Sequence, residues 1–397
     1  MSAVGGYESI QETEATKLLY GMMLDPTNPT YHSRRFAASL VFHLSYGGRL
    51  KDDDKDLESV TKILQGFVQE TYPGSHLVDA FPWLDDILPN FLAPWRKEAT
   101  AKHHYEMSVY QRLALEVKAQ MDKDEIDVES FAARLWDEVE AQGKTEKDVD
   151  LEELAYRRSR HYLDISVPGT AFEAGTDTST GIMQWFVMAM LLYPGTLRKA
   201  QAELDSVVGA DGDMIPGFAH FSRLPYCCAL VKEVLRWAPP APGGFPHSSD
   251  QDDEYKGCFH RNEEFFPDSC TFKPERFVDP NKLEVDPNDL LEGHFAFGFG
   301  RLLQFSLRSN PSHSIIAFRR KCPGMYLGGK SMWIGIVRML WAFDIEYARD
   351  AGGKPIPVSP DNCTSGMSSR PHDFPHVISP RSENHKQTVL KAFAVTK

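Results

Sequence analysis

The chain is short of positive charge, of paired cysteines and of long apolar runs, and each shortage closes off a class of function. Lysine and arginine number 43 against 56 acidic residues among 397, a net charge of -13. An overall field of that sign repels polyanions, which excludes a generic nucleic-acid binder. The six cysteines, Cys227, Cys228, Cys258, Cys270, Cys322 and Cys363, include no CxxC pair. Neither a zinc site nor a disulfide framework is therefore indicated, and a functional cysteine should be a single thiol. The longest apolar stretch, Ile182 to Tyr193, is too short to cross a bilayer, and Met1-Ser-Ala-Val-Gly-Gly-Tyr-Glu has neither a basic nor an apolar targeting region. Read as written, the chain is expected in the cytoplasm. Repeats, low-complexity tracts and Pro/Gly/Ser linkers are also missing, so 1–397 reads as a single domain.

What is there suits a globular protein, with 42% hydrophobic and 25% charged residues and ample length for a buried core. The first two thirds have helical texture. Ser9 and Glu12 make a capping-box pattern for a helix to about Leu24. Trp95 to Met121 repeats the helical period, with Met107, Tyr110, Ala114, Val117 and Met121 on one face. Asp127 to Gln142 does so with Phe131, Leu135 and Val139, before a left-handed cap at Gly143. Further helices are expected from about Thr170 to Leu192, from Pro194 to Gly209, and from near Pro225 to just before Pro239 and Pro240. Beyond Pro239, proline, glycine, aspartate and aromatic residues predict irregular chain and small hairpins. A last long helix follows Cys322-Pro323-Gly324, with Met332, Ile336, Met339 or Leu340 and Phe343 as its buried stripe. The fold class is mainly α with minor β.

Four segments break local rules. From Gly175, the run Ala174-Gly175-Thr176-Asp177-Thr178-Ser179-Thr180-Gly181 puts seven residues of mediocre or poor helix propensity into an apolar helix, at roughly 0.5 to 1 kcal/mol each relative to alanine. Its hydroxyls and carboxylate bind something or relay protons, or else the segment is a plain helix break. Glu233 and Arg236 stand side by side at i,i+3: either a surface pair worth about 0 to 1 kcal/mol, or a buried pair needing another arginine. Phe272-Lys273-Pro274-Glu275-Arg276-Phe277 is a charged tetrad between aromatics, which alone reads as a turn with solvated charges. Finally, Phe295-Ala296-Phe297-Gly298-Phe299-Gly300-Arg301 precedes, at some distance, Arg319-Arg320-Lys321-Cys322-Pro323-Gly324. A thiol at a helix N-terminus behind three cations should have its pKa lowered below about 8.5, favouring the thiolate that binds metal or attacks, although a lone buried cysteine is the commoner case.

In this order the four segments resemble the signature of the cytochrome P450 family of haem-thiolate monooxygenases, and the joining segments resemble its fungal, microsomal branch. The likeness runs from about Ser9 to Glu383. It implies the cytochrome P450 fold, haem b as cofactor, and Cys322 as the axial ligand to the haem iron. Phe297, Gly300, Arg320 and Gly324 match the rest of that cysteine motif, Arg320 pairing a haem propionate and His247 serving the propionates from the other side. Ala174 and Gly175 would make room for dioxygen, while Asp177 and Thr178 deliver protons during its activation. Glu233, Arg236 and Arg276 would form a buried triad that serves folding and haem loading. The implied reaction inserts one atom of O2 into an apolar small molecule, with electrons from NADPH through NADPH-cytochrome P450 reductase. The implied setting is fungal secondary metabolism at the cytoplasmic face of the endoplasmic reticulum membrane.

Three departures stand beside the matches. Leu302 to Arg319, 18 residues without an acidic side chain, interrupt a motif that the family runs uninterrupted. They read as translated intron, which cDNA containing those codons as the main transcript would refute. After Tyr255-Lys256-Gly257-Cys258-Phe259 a block of the family pattern is missing. The family's membrane anchor, N-terminal strands, substrate-lid region and Trp-x-x-x-Arg helix also have no match, so N-terminal truncation is expected. The insertion should disturb the amides that hold the sulfur, and a defective or haem-free product is expected of this chain. The alternative to an enzyme is a non-catalytic helical remnant acting as an interaction protein. Cysteine-nucleophile hydrolysis is a third reading, weakened because no His/Asn pair accompanies Cys322.

Overall fold

The computed structural model describes residues 4–50, 55–70, 74–123, 125, 130–143, 166–244, 261–282, 284–298, 321–364 and 368–395. They are mainly helical, as expected. In chain order the helices are α1 (Glu8–Leu24), α2 (Pro29–Tyr46), α3 (Lys55–Glu70), α4 (Leu77–Ala80), α5 (Leu84–Ile87) and α6 (Pro94–Met121). There follow α7 (Phe131–Ala141), α8 (Ser166–Leu192), α9 (Pro194–Val208), α10 (Pro225–Trp237), α11 (Met325–Ala342) and α12 (Glu383–Val395). The one sheet among the described residues pairs β1 (Phe343–Tyr347) antiparallel with β2 (His376–Pro380), Ile345 opposite Ile378. No described helix is long and apolar enough to cross a membrane.

By its internal contacts the chain gathers into two compact units, Arg34–Asp177 and Met1–Ser33 with Thr178–Lys397. In Arg34–Asp177, α6 buries Met107, Tyr110, Ala114 and Val117 of the expected stripe and Leu113 beside them, while Met121, expected to complete it, is only half-buried at the helix end. Against it packs α7, whose Trp136 donates from its indole to the Ala114 carbonyl at 2.8 Å. Ser130 caps α7 by accepting from the Ala133 amide at 3.1 Å, and Gly143 follows with φ +69°, the left-handed turn that favours glycine.

The other unit is built on α11, whose Trp333, Ile334, Ile336, Val337, Met339, Leu340 and Trp341 are fully buried. Each such side chain contributes roughly 1.5 to 3 kcal/mol of burial. Phe343 is buried too, but as the first residue of β1, so the expected helical stripe ends one turn early. The first 33 residues belong here because α1 grips α11. Gln11, fully buried, donates to the Leu327 carbonyl at 3.2 Å and to Ser331 Oγ at 2.9 Å. Lys330 pairs with Glu8 at 2.6 Å, and Arg338 donates to Thr16 Oγ1 at 2.7 Å and to the Pro216 carbonyl at 2.8 Å. The expected Ser9–Glu12 capping box does not form. The turn Val4–Tyr7 leads straight into α1, and the Glu12 carboxylate instead accepts from the Phe218 amide at 2.8 Å.

Candidate active site

Two segments meet at Cys322. Gly298 holds φ at +89°, a conformation L side chains rarely adopt, and its amide closes a turn on the Phe295 carbonyl at 2.9 Å. The Cys322 amide donates to the Phe297 carbonyl at 2.8 Å. The Phe297 ring lies 3.9 Å from where a Cβ on Gly328 would stand, so it rests on the first turn of α11. A hydrogen bond thus clasps the two arms flanking the inserted residues. The insertion 302–319, Gly300, Arg320, His247 and the stretch beyond Tyr255 where a block is missing lie outside the described residues.

Cys322 lies three residues before Met325, the first residue of α11, and is free and exposed. The Gly324 amide hydrogen-bonds its sulfur, while the amides of the loop that carries the insertion lie outside the described residues. The expected lowering of the thiol pKa is not found: protein crowded around the sulfur raises it, outweighing that single amide. The reason is that desolvation acts on the whole charge of a thiolate, while one amide dipole returns only part of it. Of the three cations credited with lowering it, Arg319 and Arg320 are outside the described residues and Lys321 is exposed to water.

Of the two readings of Glu233 and Arg236, the buried one holds. Both side chains are 0% exposed, on an α10 whose apolar neighbours left them no other face. Arg236 forks onto both carboxylate oxygens, Nε to Oε2 at 2.7 Å and Nη2 to Oε1 at 2.8 Å, the bidentate geometry that makes such pairs strong. The third member is Arg276, Nε to Glu233 Oε1 at 3.1 Å, delivered by the turn Pro274–Phe277. The Lys273 amide donates to the same oxygen at 2.7 Å. Carbonyls of Ser269, Pro267 and Thr271 take further guanidinium donors at 2.8, 3.0 and 3.2 Å.

The polar segment sits inside α8, so the helix-break reading fails. Thr176 is buried and returns its hydroxyl to the Phe172 carbonyl at 2.6 Å, which accommodates a β-branched polar residue in the helix. Asp177 and Thr180 are buried as well, at 8% and 0% exposure. A Cβ on Gly175 would lie 2.5 Å from Val41 Cγ2, so the space freed by this glycine is filled by α2. Thr170 and Ala174, one turn apart, are exposed, and Thr178, the next in that row, is partly so. Beside this open face stands a residue the sequence reading passed over, Glu173. Its Oε1 is buried with no hydrogen-bond partner, and burial, then the charge of Glu106, pushes its pKa up to about 8. An acid directly before Ala174 in an apolar stretch was the available signal.

The donor set at Cys322 fits a haem iron: one free, exposed thiol, aimed by a backbone clasp and already held by an amide. No group of three or more His, Cys, Asp or Glu side chains that could chelate a metal occurs among the described residues. A lone thiol presented this way and a buried Glu–Arg–Arg knot in the same unit are what the resemblance to the haem-thiolate proteins implied. Comparison with known proteins agrees: the cytochrome P450 family model matches residues 8–374, and the chain belongs to that family of oxidoreductases. It is 32% identical to a cytochrome P450 monooxygenase of Armillaria gallica, over 96% of this chain and 70% of that protein. It is 31% identical to cytochrome P450 monooxygenase 58 of Postia placenta, over 95% and 68%, and 31% to a cytochrome P450 monooxygenase of Aspergillus aculeatus, over 97% and 68%. Family membership implies a haem cofactor, a redox partner and an organic substrate.

Proposed function

We propose that this chain binds haem b through Cys322 and inserts one atom of O2 into an apolar small molecule, the other atom leaving as water. Electrons come from NADPH through NADPH-cytochrome P450 reductase. The setting is fungal secondary metabolism at the cytoplasmic face of the endoplasmic reticulum membrane, a reading that rests on resemblance to the fungal, microsomal branch. The observation that carries the chemistry is the hydrogen bond from the Cys322 amide to the Phe297 carbonyl at 2.8 Å, which keeps the two arms of the cysteine motif joined around an 18-residue interruption.

The haem, when bound, supplies the centre at which dioxygen is activated, and a thiolate ligand favours O–O cleavage. Everything else is asked of the chain. Cys322 would give up its proton on ligation, so that a thiolate disfavoured by the protein around the sulfur becomes a metal-bound one. The Gly324 amide steadies the sulfur and tunes its electron density. Asp177 and Thr178, in a helix with apolar flanks, hold and pass protons where water is scarce. Thr176 is excluded from that relay, because its hydroxyl is committed to the Phe172 carbonyl. The test is the carbon monoxide difference spectrum of the purified, reduced protein. The Soret band of a thiolate-ligated haem is expected; haem-free protein, or a band typical of a neutral ligand, overturns the reading and leaves the non-catalytic alternative.

A further inference from the structure

Past residues 8–374, which carry the family match, lies α12, and its docking turns on one imidazole. His385, Val389 and Phe393 repeat at helical spacing as the buried face of this helix. Phe393 stacks on Tyr20 of α1 at 3.8 Å, an ordinary apolar contact. His385, only 2% exposed, is less ordinary. Its ring lies 4.7 Å from the Trp341 ring at the end of α11. A Cβ on Gly212, whose φ of +76° already favours glycine, would fall 2.6 Å from Nδ1. Nδ1 meets the Ser382 hydroxyl at 2.8 Å, and that oxygen also accepts from the His385 amide at 3.3 Å. Nε2 is buried without a hydrogen-bond partner among the described residues, and so is the Trp341 indole nitrogen. A neutral imidazole leaves one nitrogen unmet, whereas an imidazolium would bury a charged N–H with no acceptor.

The surroundings oppose a proton on the ring. Arg381, directly after β2, is pinned by Asp205 of α9 through two hydrogen bonds of 2.9 and 2.7 Å. Burial first, and then the Arg381 charge, lower the His385 pKa from its ordinary 6.5, against the pull of Asp205 and of Asp344 on β1. Asp205 is already engaged by that arginine, and Asp344 Oδ1 lies 3.4 Å from Gln201 Nε2. In the turn after α9, the Asp211 carbonyl and the Asp213 carboxylate accept from the Asn384 side chain at 2.5 and 2.7 Å. On α11, Arg338 is committed to Thr16 and the Pro216 carbonyl. On α12 itself, Glu383 accepts from Gln387 at 2.7 Å and Lys386 follows the ring. His385 also stands in the first turn of α12, where the helix dipole disfavours a cation. We propose that His385 is an acid-released latch: as a neutral ring it docks α12 on α11, and on taking a proton it lets α12 go, uncovering Trp341 and Tyr20. Release returns the imidazole to water and its ordinary affinity for protons, so docking is full above about pH 6.5 and weakens as pH falls below it. The latch is independent of the monooxygenase reading, since it needs no haem.

The test is hydrogen exchange read by mass spectrometry on the full-length protein at pH 7.5 and 5.5, with rates corrected for the intrinsic pH dependence of exchange. Protection of the amides in 383–395 should fall about tenfold on acidification, because pH 5.5 lies about one unit below the ordinary histidine pKa. Protection of 332–341 in α11 is the internal reference and should change much less. His385→Phe keeps a ring against Trp341 but cannot titrate, so protection of 383–395 should be the same at both pH values. His385→Gln makes the same comparison should the phenylalanine variant fail to fold. His376, on β2, is the rival source, since burial lowers its pKa too, and His376→Gln should leave the acid effect on α12 intact. Equal loss of protection in α11 and α12, no loss in α12, an acid effect that survives the His385 substitutions, or one that disappears in His376→Gln overturns the latch.

Discussion

Two sets of buried polar groups treat hydrogen bonding in opposite ways. In the Glu233–Arg236–Arg276 knot the carboxylate receives both arginines and the Lys273 amide, and backbone carbonyls take further guanidinium donors. At Glu173 and at Tyr46, a carboxyl oxygen and a phenol are sealed from water with nothing to bind. A closed network supports only the fold, whereas an open one at comparable burial is a cost that a ligand can relieve. Cys322 belongs with the open groups, since its sulfur accepts one amide and is otherwise free. Site and scaffold can be separated on this basis.

The largest effects should fall on opposite properties at the two kinds of site. Cys322→Ala is expected to abolish the thiolate-type absorbance entirely while changing the unfolding free energy of the apoprotein in urea by less than about 0.5 kcal/mol, as for other exposed positions. Glu233→Ala should do the reverse. Stranding a fully buried guanidinium costs about 3 to 5 kcal/mol, measurable as lost soluble yield and a lowered denaturation midpoint, before any haem is added. A stable Glu233→Ala protein, or an unstable Cys322→Ala one, would break the division between closed and open clusters.

A smaller effect is read in the pH dependence of stability. Glu173 has a folded pKa of about 8 against an ordinary 4.5, so between those values the folded state holds a proton that the unfolded state has released. Stability is then full below about pH 4.5 and falls as pH rises toward 8. Glu106, raised by its own burial, acts in the same direction. Urea denaturation from pH 5 to 8 should show a decline of a few kcal/mol at most, and Glu173→Gln should flatten most of it. A profile that Glu173→Gln leaves unchanged would mean that water already satisfies the carboxyl.

The contrast also explains what could be read in advance. Long helices with a single apolar stripe, α6, α9, α10 and α11, were visible because burial imposes period 3.6 on them. The Glu233–Arg236 pair was visible as spacing in an apolar surround, while Arg276 as its third member was legible only through the family resemblance. The capping box failed because Ser9 and Glu12 carry a local signal, while the Phe218 amide that claims Glu12 is 206 residues away. α2 and α12 escaped notice because polar residues interleave their buried faces, as with Ser33, Arg35, Ser39 and His385. Glu173 was passed over although an acid in an apolar stretch was a signal, because an unmet hydrogen bond itself has no sequence signature. The cysteine pKa was misjudged for a related reason, because cations nearby in sequence say nothing about how much protein crowds the sulfur.

The smallest effect concerns Gly175, which lies on α8 between open and packed faces and tests to which side it belongs. If its bare Cα exists to accept Val41, alanine there gains up to about 1 kcal/mol of helix propensity but forces a Cβ to 2.5 Å from Val41 Cγ2. Overpacking of that kind costs about 1 to 3 kcal/mol. Gly175→Ala should therefore destabilise by about 1 kcal/mol on balance in urea denaturation. In a Val41→Ala background the clash is gone and only the propensity gain remains, so the same substitution should turn stabilising. That reversal of sign would assign Gly175 to helix packing. A substitution neutral in both backgrounds, but one that slows oxygen binding to the reduced haem protein, would instead return it to the open face.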